Sequence, residues 1–382
     1  MKRRYVVCVP DGASDEPLAE LGGRTPLEAA AMPALAALAA RGEVGRAATI
    51  PSGLPPGSDV GNLSILGYDP ALHHTGRAPI EAAAMGVEVD DDQVAYRCNL
   101  VRVDDGVMVD FAGGHPSSDD AARVIAALDA ELGDEGVRFH AGVQYRHLVI
   151  APDAWLDAEC VPPHDLTGRP AVWPTGPAAP MLGALMDASR PIVSRFGLVA
   201  NQVWLWGQGR RPRLPSFKET YGLDAQLVSA VDLVRGLGAL TGIPAVDVPG
   251  ITGWYDTNYE GKRDACLQAL ADGADLFLIH VEASDEAGHA GDAAEKVRAL
   301  ENWDSRILAP LVVALDRDFR PWRLLLLPDH PTPTDLRTHT SDPVPYLLVD
   351  SEAAGPGGVY TERATAGIDA VPGHTLMARL TG

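Results

Sequence analysis

Residues 322–333 read WRLLLLPDHPTP. The run Leu324–Leu327 has no polar alternation, so it reads as a strand covered on both faces, the kind found in parallel sheets flanked by helices. Pro328 ends it, and Asp329 and His330 follow directly. A carboxylate and an imidazole placed there risk burial without a partner. In α/β sheets, ligands gather beyond the carboxyl ends of the strands, so this pair marks the expected site.

The same design recurs on either side. Tyr5–Val9 reads as a strand that ends in Asp11-Gly12, and DLFLIHVE (275–282) as one that leads to Asp285. Further strands are expected at NQVWLWG (201–207), PAVDV (244–248) and VPYLLVD (344–350). Helical periodicity lies between them, over 179–195, 224–240, 259–271 and 293–316. Near the start, Thr25 is an N-cap, Pro26 suits the first helical position, Glu28 completes a capping box, and Gly42 closes the run. This alternation predicts an α/β fold, a mostly parallel sheet flanked by helices.

The middle of the chain differs. QVAYRCNLVRV (93–103) and GVMVDFAGG (106–114) alternate as a hairpin about Asp105-Gly106. A helix over 119–132 and a strand within 138–152 follow, and a proline-rich stretch over 160–177 leads back out. The expectation is a core split in sequence, 1–88 with 179–382, interrupted by a smaller α+β insert at 89–178.

Bulk properties narrow the function. With 31 Lys and Arg against 52 Asp and Glu, the net charge is −21, which speaks against nucleic-acid or anionic-membrane partners. The apolar stretch after MKRR is too short for a signal peptide, and no run approaches a spanning helix. Cys8, Cys98, Cys160 and Cys266 lie far apart with no CxxC pair, so reduced thiols and a cytoplasmic protein are expected.

The chemistry-bearing residues form a scattered set. Asp11, Asp285, His289, Asp329, His330 and His339 are oxygen and imidazole donors, most of them just after expected strands. Asp329 and His330, being adjacent, can reach two different ions, while Asp285 and His289 share one helical turn. Such donors make a two-metal site, and mixed carboxylate–imidazole ligation suits Mn²⁺ or Zn²⁺ better than Ca²⁺. Ser58, in PPGSDVGN, falls at a helix N-terminus, where unpaired N–H groups favour an anion; beside a metal it becomes a nucleophile. Alone, Asp11-Gly12 is turn chemistry and Ser58 an N-cap. Together the set points to a metalloenzyme acting on phosphate esters.

The motifs PDG (10–12), GSDVGNLSILGYDP (57–70), TGRAPIEA (75–82), VEASDEAGHAGD (281–292), DHPTP (329–333) and RTHTSDPVP (337–345) resemble the archaeal-type cofactor-independent phosphoglycerate mutases, within the alkaline phosphatase-like metalloenzymes. The resemblance implies two divalent ions, Mn²⁺ foremost with Zn²⁺, Co²⁺ or Mg²⁺ as alternatives. One would be held by Asp11, Ser58, Asp329 and His330, the other by Asp285, His289 and His339. It implies that Ser58 is phosphorylated in turnover between 3- and 2-phosphoglycerate, and that the insert closes over the substrate. Arg77, Arg97, Arg146, Lys218 and Lys262 are then candidates to hold a small phosphorylated hydroxy acid, with Arg suited to bidentate contacts. His164 and Asp165 are candidates to move a proton between the hydroxyls.

Other segments, NQVWLWGQGRRP (201–212) and HPTPTDLRTHTSDPVP (330–345), resemble a bacterial subgroup proposed as homoserine kinase. A homoserine-type kinase and a plain phosphomonoesterase therefore stand as alternatives with the same metals, and a non-catalytic metabolite-binding paralogue as a third. The oligomeric state is not legible.

Overall fold

A computed structural model describes residues 2–382. The chain forms two compact units: one runs up to His74 and resumes over Leu214–Gly382, and the other is Thr75–Arg213.

Among the described residues, the first unit is built on a seven-stranded sheet. Its order is Val371–Pro372, Glu43–Ala48, Val344–Asp350, Trp322–Leu326, Arg4–Pro10, Leu276–Val281 and Ala225–Val228. Arg4–Pro10 lies inside and runs parallel to both neighbours, with Cys8 level with Leu326 on one side and Ile279 on the other. Ala225–Val228 is parallel as well, whereas Val344–Asp350 is antiparallel to both its neighbours. The expected mostly parallel α/β core is therefore present. Its strands are apolar on both faces because both are covered: Val6, Phe277 and Leu324 are level with one another on one face, Val7, Leu278 and Leu325 on the other, and all six are buried.

Local departures have local causes. Thr25 and Glu28 do form a reciprocal capping box, but the helix Pro26–Ala29 stops before Pro33 and resumes as Pro33–Ala39. The residue before a proline avoids the helical region, and Met32 obeys that rule. The helix expected from 224 begins only at Asp232, because Ala225–Val228 pairs with Leu276–Ile279 as a strand. PAVDV contributes only a single bridge, Ala245 to Leu227.

The second unit corrects the expected boundaries, 89–178. Its long strand Gln93–Asp104 pairs antiparallel with Val107–Asp110, Arg146–Pro152 and Gln202–Gly209. NQVWLWG thus belongs to this sheet, and Trp204 and Trp206 fill its core along with Leu182 and Met186 of the helix Ala179–Val193. Residues before 89 belong here too, since Ala78 and Ala82 pack on Ala95 and Leu148. An apolar strand does not announce which sheet it joins; only its pairing partner does.

The four cysteines are free thiols, as expected. Among the described residues no helix is long and apolar enough to cross a membrane.

Candidate active site

The site forms where the parallel strands of the first unit end. The Asp11 amide donates to Val281 O, which fixes the turn after the first strand level with the end of its neighbour. Gly12 sits at φ +60°, and a Cβ there would come within 2.5 Å of Asp285 Oδ1 and Thr332 Oγ1, so only glycine lets these segments meet.

Ser58 opens the helix Ser58–Ile65. One turn on, Asn62 donates to Ser58 O at 3.0 Å and to Asp329 Oδ2 at 2.8 Å. Gly61 lies flat against the Asp329 carbonyl, where a Cβ would collide. The helix is thereby docked onto the loop that carries the Asp-His pair. Ser58 Oγ lies 3.3 Å from His330 Nε2, and that nitrogen is 3.6 Å from Asp11 Oδ1 and 3.5 Å from Asp329 Oδ2.

Asp285 and His289 share one face of the helix Ala283–Ala290. Asp285 Oδ2 is 3.3 Å from His289 Nε2, its Oδ1 is 3.5 Å from His339 Nε2, and Thr332 donates its hydroxyl to Oδ1. The seven residues expected to bind metal, Ser58 included, thus converge in one place. The donor atoms also group as Asp285, His330 and His339, and as Asp11, His280 and Asp329, each set within 4.8 Å.

The electrostatics fit divalent cations. Burial, and then repulsion from Asp329 and Asp285, push the Asp11 carboxyl well above its ordinary range. Burial would do the same to Asp285, but hydrogen bonds from His289 and His339 hold it well below. Burial likewise works against an ionised Asp329, while His330 and His280 beside it draw its carboxyl down. Burial lowers His330 to about 4, so its imidazole is neutral and free to ligate. Asp11 Oδ1 is buried without a hydrogen-bond donor among the described residues. Three crowded carboxylates, neutral imidazole and an unmatched oxygen are what a pair of divalent ions would satisfy.

The expected substrate residues fare unevenly. Arg97 is buried with Nε 2.9 Å from Glu81 and its guanidinium 4.2 Å from the centre of the Trp206 ring. Burial, with Arg77 and Arg146 nearby, lowers it to about 10 against the pull of Glu81. These three arginines form one cluster in the second unit. His164 rests edge-on against Trp206 there, with Nε2 3.6 Å from Asp165.

Lys218, by contrast, pairs with Asp224 before the strand Ala225–Val228, at the amino ends of the strands and so at the opposite end of the sheet from Ser58. Lys262 is fully buried, and its ammonium is engaged by Glu282 and His280 O. Neither joins the cluster. His280 is not among the expected site residues, although a polar residue inside the continuous apolar run LFLIHV signals a buried partner.

Residues 39–195 match a family model described as 2,3-bisphosphoglycerate-independent phosphoglycerate mutase. A protein of that name from Methanosarcina acetivorans is 45% identical over 369 residues, 93% of each chain. A solved protein from Pyrococcus horikoshii shares the fold at TM-score 0.83 and 24% identity, covering 100% of this chain and 97% of that one. The cofactor-independent phosphoglycerate mutase of Thermoplasma acidophilum aligns at TM-score 0.66 and 25% identity, covering 100% and 99%.

Proposed function

The chain belongs to the 2,3-bisphosphoglycerate-independent phosphoglycerate mutases, and on that premise we propose that it interconverts 3- and 2-phosphoglycerate through a phosphorylated Ser58. The observation that carries this reading is Ser58 Oγ, at a helix N-terminus and 3.3 Å from His330 Nε2, inside the carboxylate–imidazole cluster.

Divalent ions, Mn²⁺ in our reading, would be held by Asp11, Ser58, Asp329 and His330 and by Asp285, His289 and His339, and would supply the charge that favours an alkoxide and neutralises a phosphoryl group. Ser58 Oγ gives up its proton and attacks phosphorus, the bond to the glycerate oxygen breaks, and that oxygen takes up a proton. The other glycerate hydroxyl then gives up its proton as it attacks the phosphoserine, the bond from phosphorus to Ser58 Oγ breaks, and the serine oxygen is protonated again. The first helical turn directs its N–H groups at the phosphate. Asn62, bound to both Ser58 O and Asp329, keeps nucleophile and ligands in fixed relation. Arg77, Arg97 and Arg146 suit the carboxylate and phosphate of a doubly anionic substrate. Lys218 and Lys262 are not proposed for that role, since both are already paired.

The Mn²⁺-loaded chain is expected to form 2-phosphoglycerate from 3-phosphoglycerate without added bisphosphoglycerate, read by coupling to enolase. No product at high enzyme concentration sinks the assignment. ATP consumption that depends on homoserine would put a kinase in its place.

A further inference from the structure

We propose that His280 is itself a metal ligand, binding through Nε2 the ion that Asp11 and Asp329 hold. The inference rests on the metal reading above and extends it by a residue outside the two implied ligand sets.

The geometry of the ring is the first argument. His280 is 0% exposed, on the strand Leu276–Val281 beside the one that ends in Asp11. Its Nε2 faces Asp11 Oδ2 at 3.3 Å, yet it completes no hydrogen bond among the described residues. With Asp11 and Asp329 it offers three donor atoms within 4.8 Å of one another, all buried. A nitrogen and an oxygen each about 2 Å from a shared ion stand about 3–4 Å apart, which is this separation.

The other side of the ring is the second argument, and it is independent. His280 Nδ1 is 3.3 Å from Glu282 Oε1 and 3.2 Å from Ser229 Oγ. Glu282 in turn accepts from Ser229 Oγ, the Ala230 amide and the Lys262 ammonium. Metal-bound histidines characteristically give their second ring N–H to a carboxylate, which fixes the tautomer and turns the bare nitrogen toward the ion. Here the carboxylate, the groups that anchor it and a ring nitrogen without a hydrogen bond are all present. A histidine that merely filled core space would need no fixed carboxylate behind it, and Lys262 acquires a role as that carboxylate's counter-ion.

The test uses the full chain loaded with Mn²⁺ alone. In crystals of the wild type, anomalous scattering from manganese is expected to place an ion about 2 Å from His280 Nε2, within bonding reach of Asp11 and Asp329. His280→Gln, which keeps the bulk but not the ligand, is expected to bind Mn²⁺ at that position at least about tenfold more weakly by calorimetric titration. Ions bound at the Ser58 cluster with none within about 3 Å of Nε2 would overturn the inference, make His280 an orienting neighbour of Asp11, and leave the proposed function standing. No bound ion at all would overturn both.

Discussion

His289 Nε2 and His339 Nε2 face each other at 2.9 Å, with an Asp285 oxygen 3.3 Å from the first and 3.5 Å from the second. Two ring nitrogens at that distance share one proton at most. Burial pulls His289 down, yet the hydrogen bond and charge of Asp285 outweigh it and raise His289 to about 9. Without a cation, that proton holds the trio together; the divalent ion proposed for this site would replace it. Because binding favours only the folded chain, Mn²⁺ at about 100 times its dissociation constant is expected to stabilise chelator-treated protein by about 2.7 kcal/mol per site. Thermal unfolding with and without Mn²⁺ checks this, and Asp285→Asn is expected to lose the share of the gain that belongs to its own site.

Ser58 is the first residue of its helix and Gly57 holds the N-cap position, so capping does not explain the serine. Its hydroxyl is instead turned to His330. Ser58→Ala is therefore expected to leave the fold near that of the parent while lowering turnover at least about 10³-fold, as for loss of a nucleophile. Acid-quenched protein incubated with phosphorylated substrate should carry phosphate in the parent and none in the variant. Normal turnover by Ser58→Ala would remove the serine from the mechanism.

Much of this was legible in the sequence because chemistry and chain direction coincide. Asp11, Asp285 and Asp329 each follow a strand of apolar residues, so the sheet that those residues build also brings the carboxylates together. The reading failed where the deciding partner lay far away. Gln202–Gly209 looks like any buried strand until its pairing with Gln93–Asp104 assigns it to the second unit. Lys262 looks like a candidate to hold the substrate until Glu282, 20 residues on, is seen against its ammonium. His280 lies in an apolar run whose periodicity says nothing about the two acids on either side of its ring.

The buried pair of Lys262 and Glu282 carries a prediction. Burial works against an ionised Glu282, but the Lys262 ammonium, with His280, draws the carboxyl down to about 2. Removing one partner of a buried pair strands the other charge, at a cost of about 3–5 kcal/mol. Lys262→Met is expected to lose stability on that scale in denaturant unfolding, and adding Glu282→Gln should restore a large part of it. A surface lysine that gripped substrate would behave otherwise, with KM rising and stability unmoved.

Acid sensitivity has a source in the second unit. His147 is 2% exposed, and its Nδ1 accepts the Gly142 amide at 3.0 Å. Protonation would destroy that acceptor and place a charge in the core, so burial lowers the imidazole from 6.5 to about 4. A group whose folded value is depressed contributes stability that is full above its unfolded value and is lost as pH falls toward the folded one. For His147 the window runs from about pH 6.5 down to about pH 4, and the loss across it is about 3 kcal/mol. His147→Asn keeps an acceptor for Gly142 but cannot titrate. Near pH 7 it should be less stable than the parent by about 1 kcal/mol, the usual size of a disturbed buried contact. Toward about pH 4 the order is expected to reverse, because only the parent must bury or expel a proton, while the carboxylates common to both cancel in the difference. Urea unfolding of both proteins across that range decides it: parallel stability curves would show that His147 is already charged in the folded chain or titrates alike folded and unfolded.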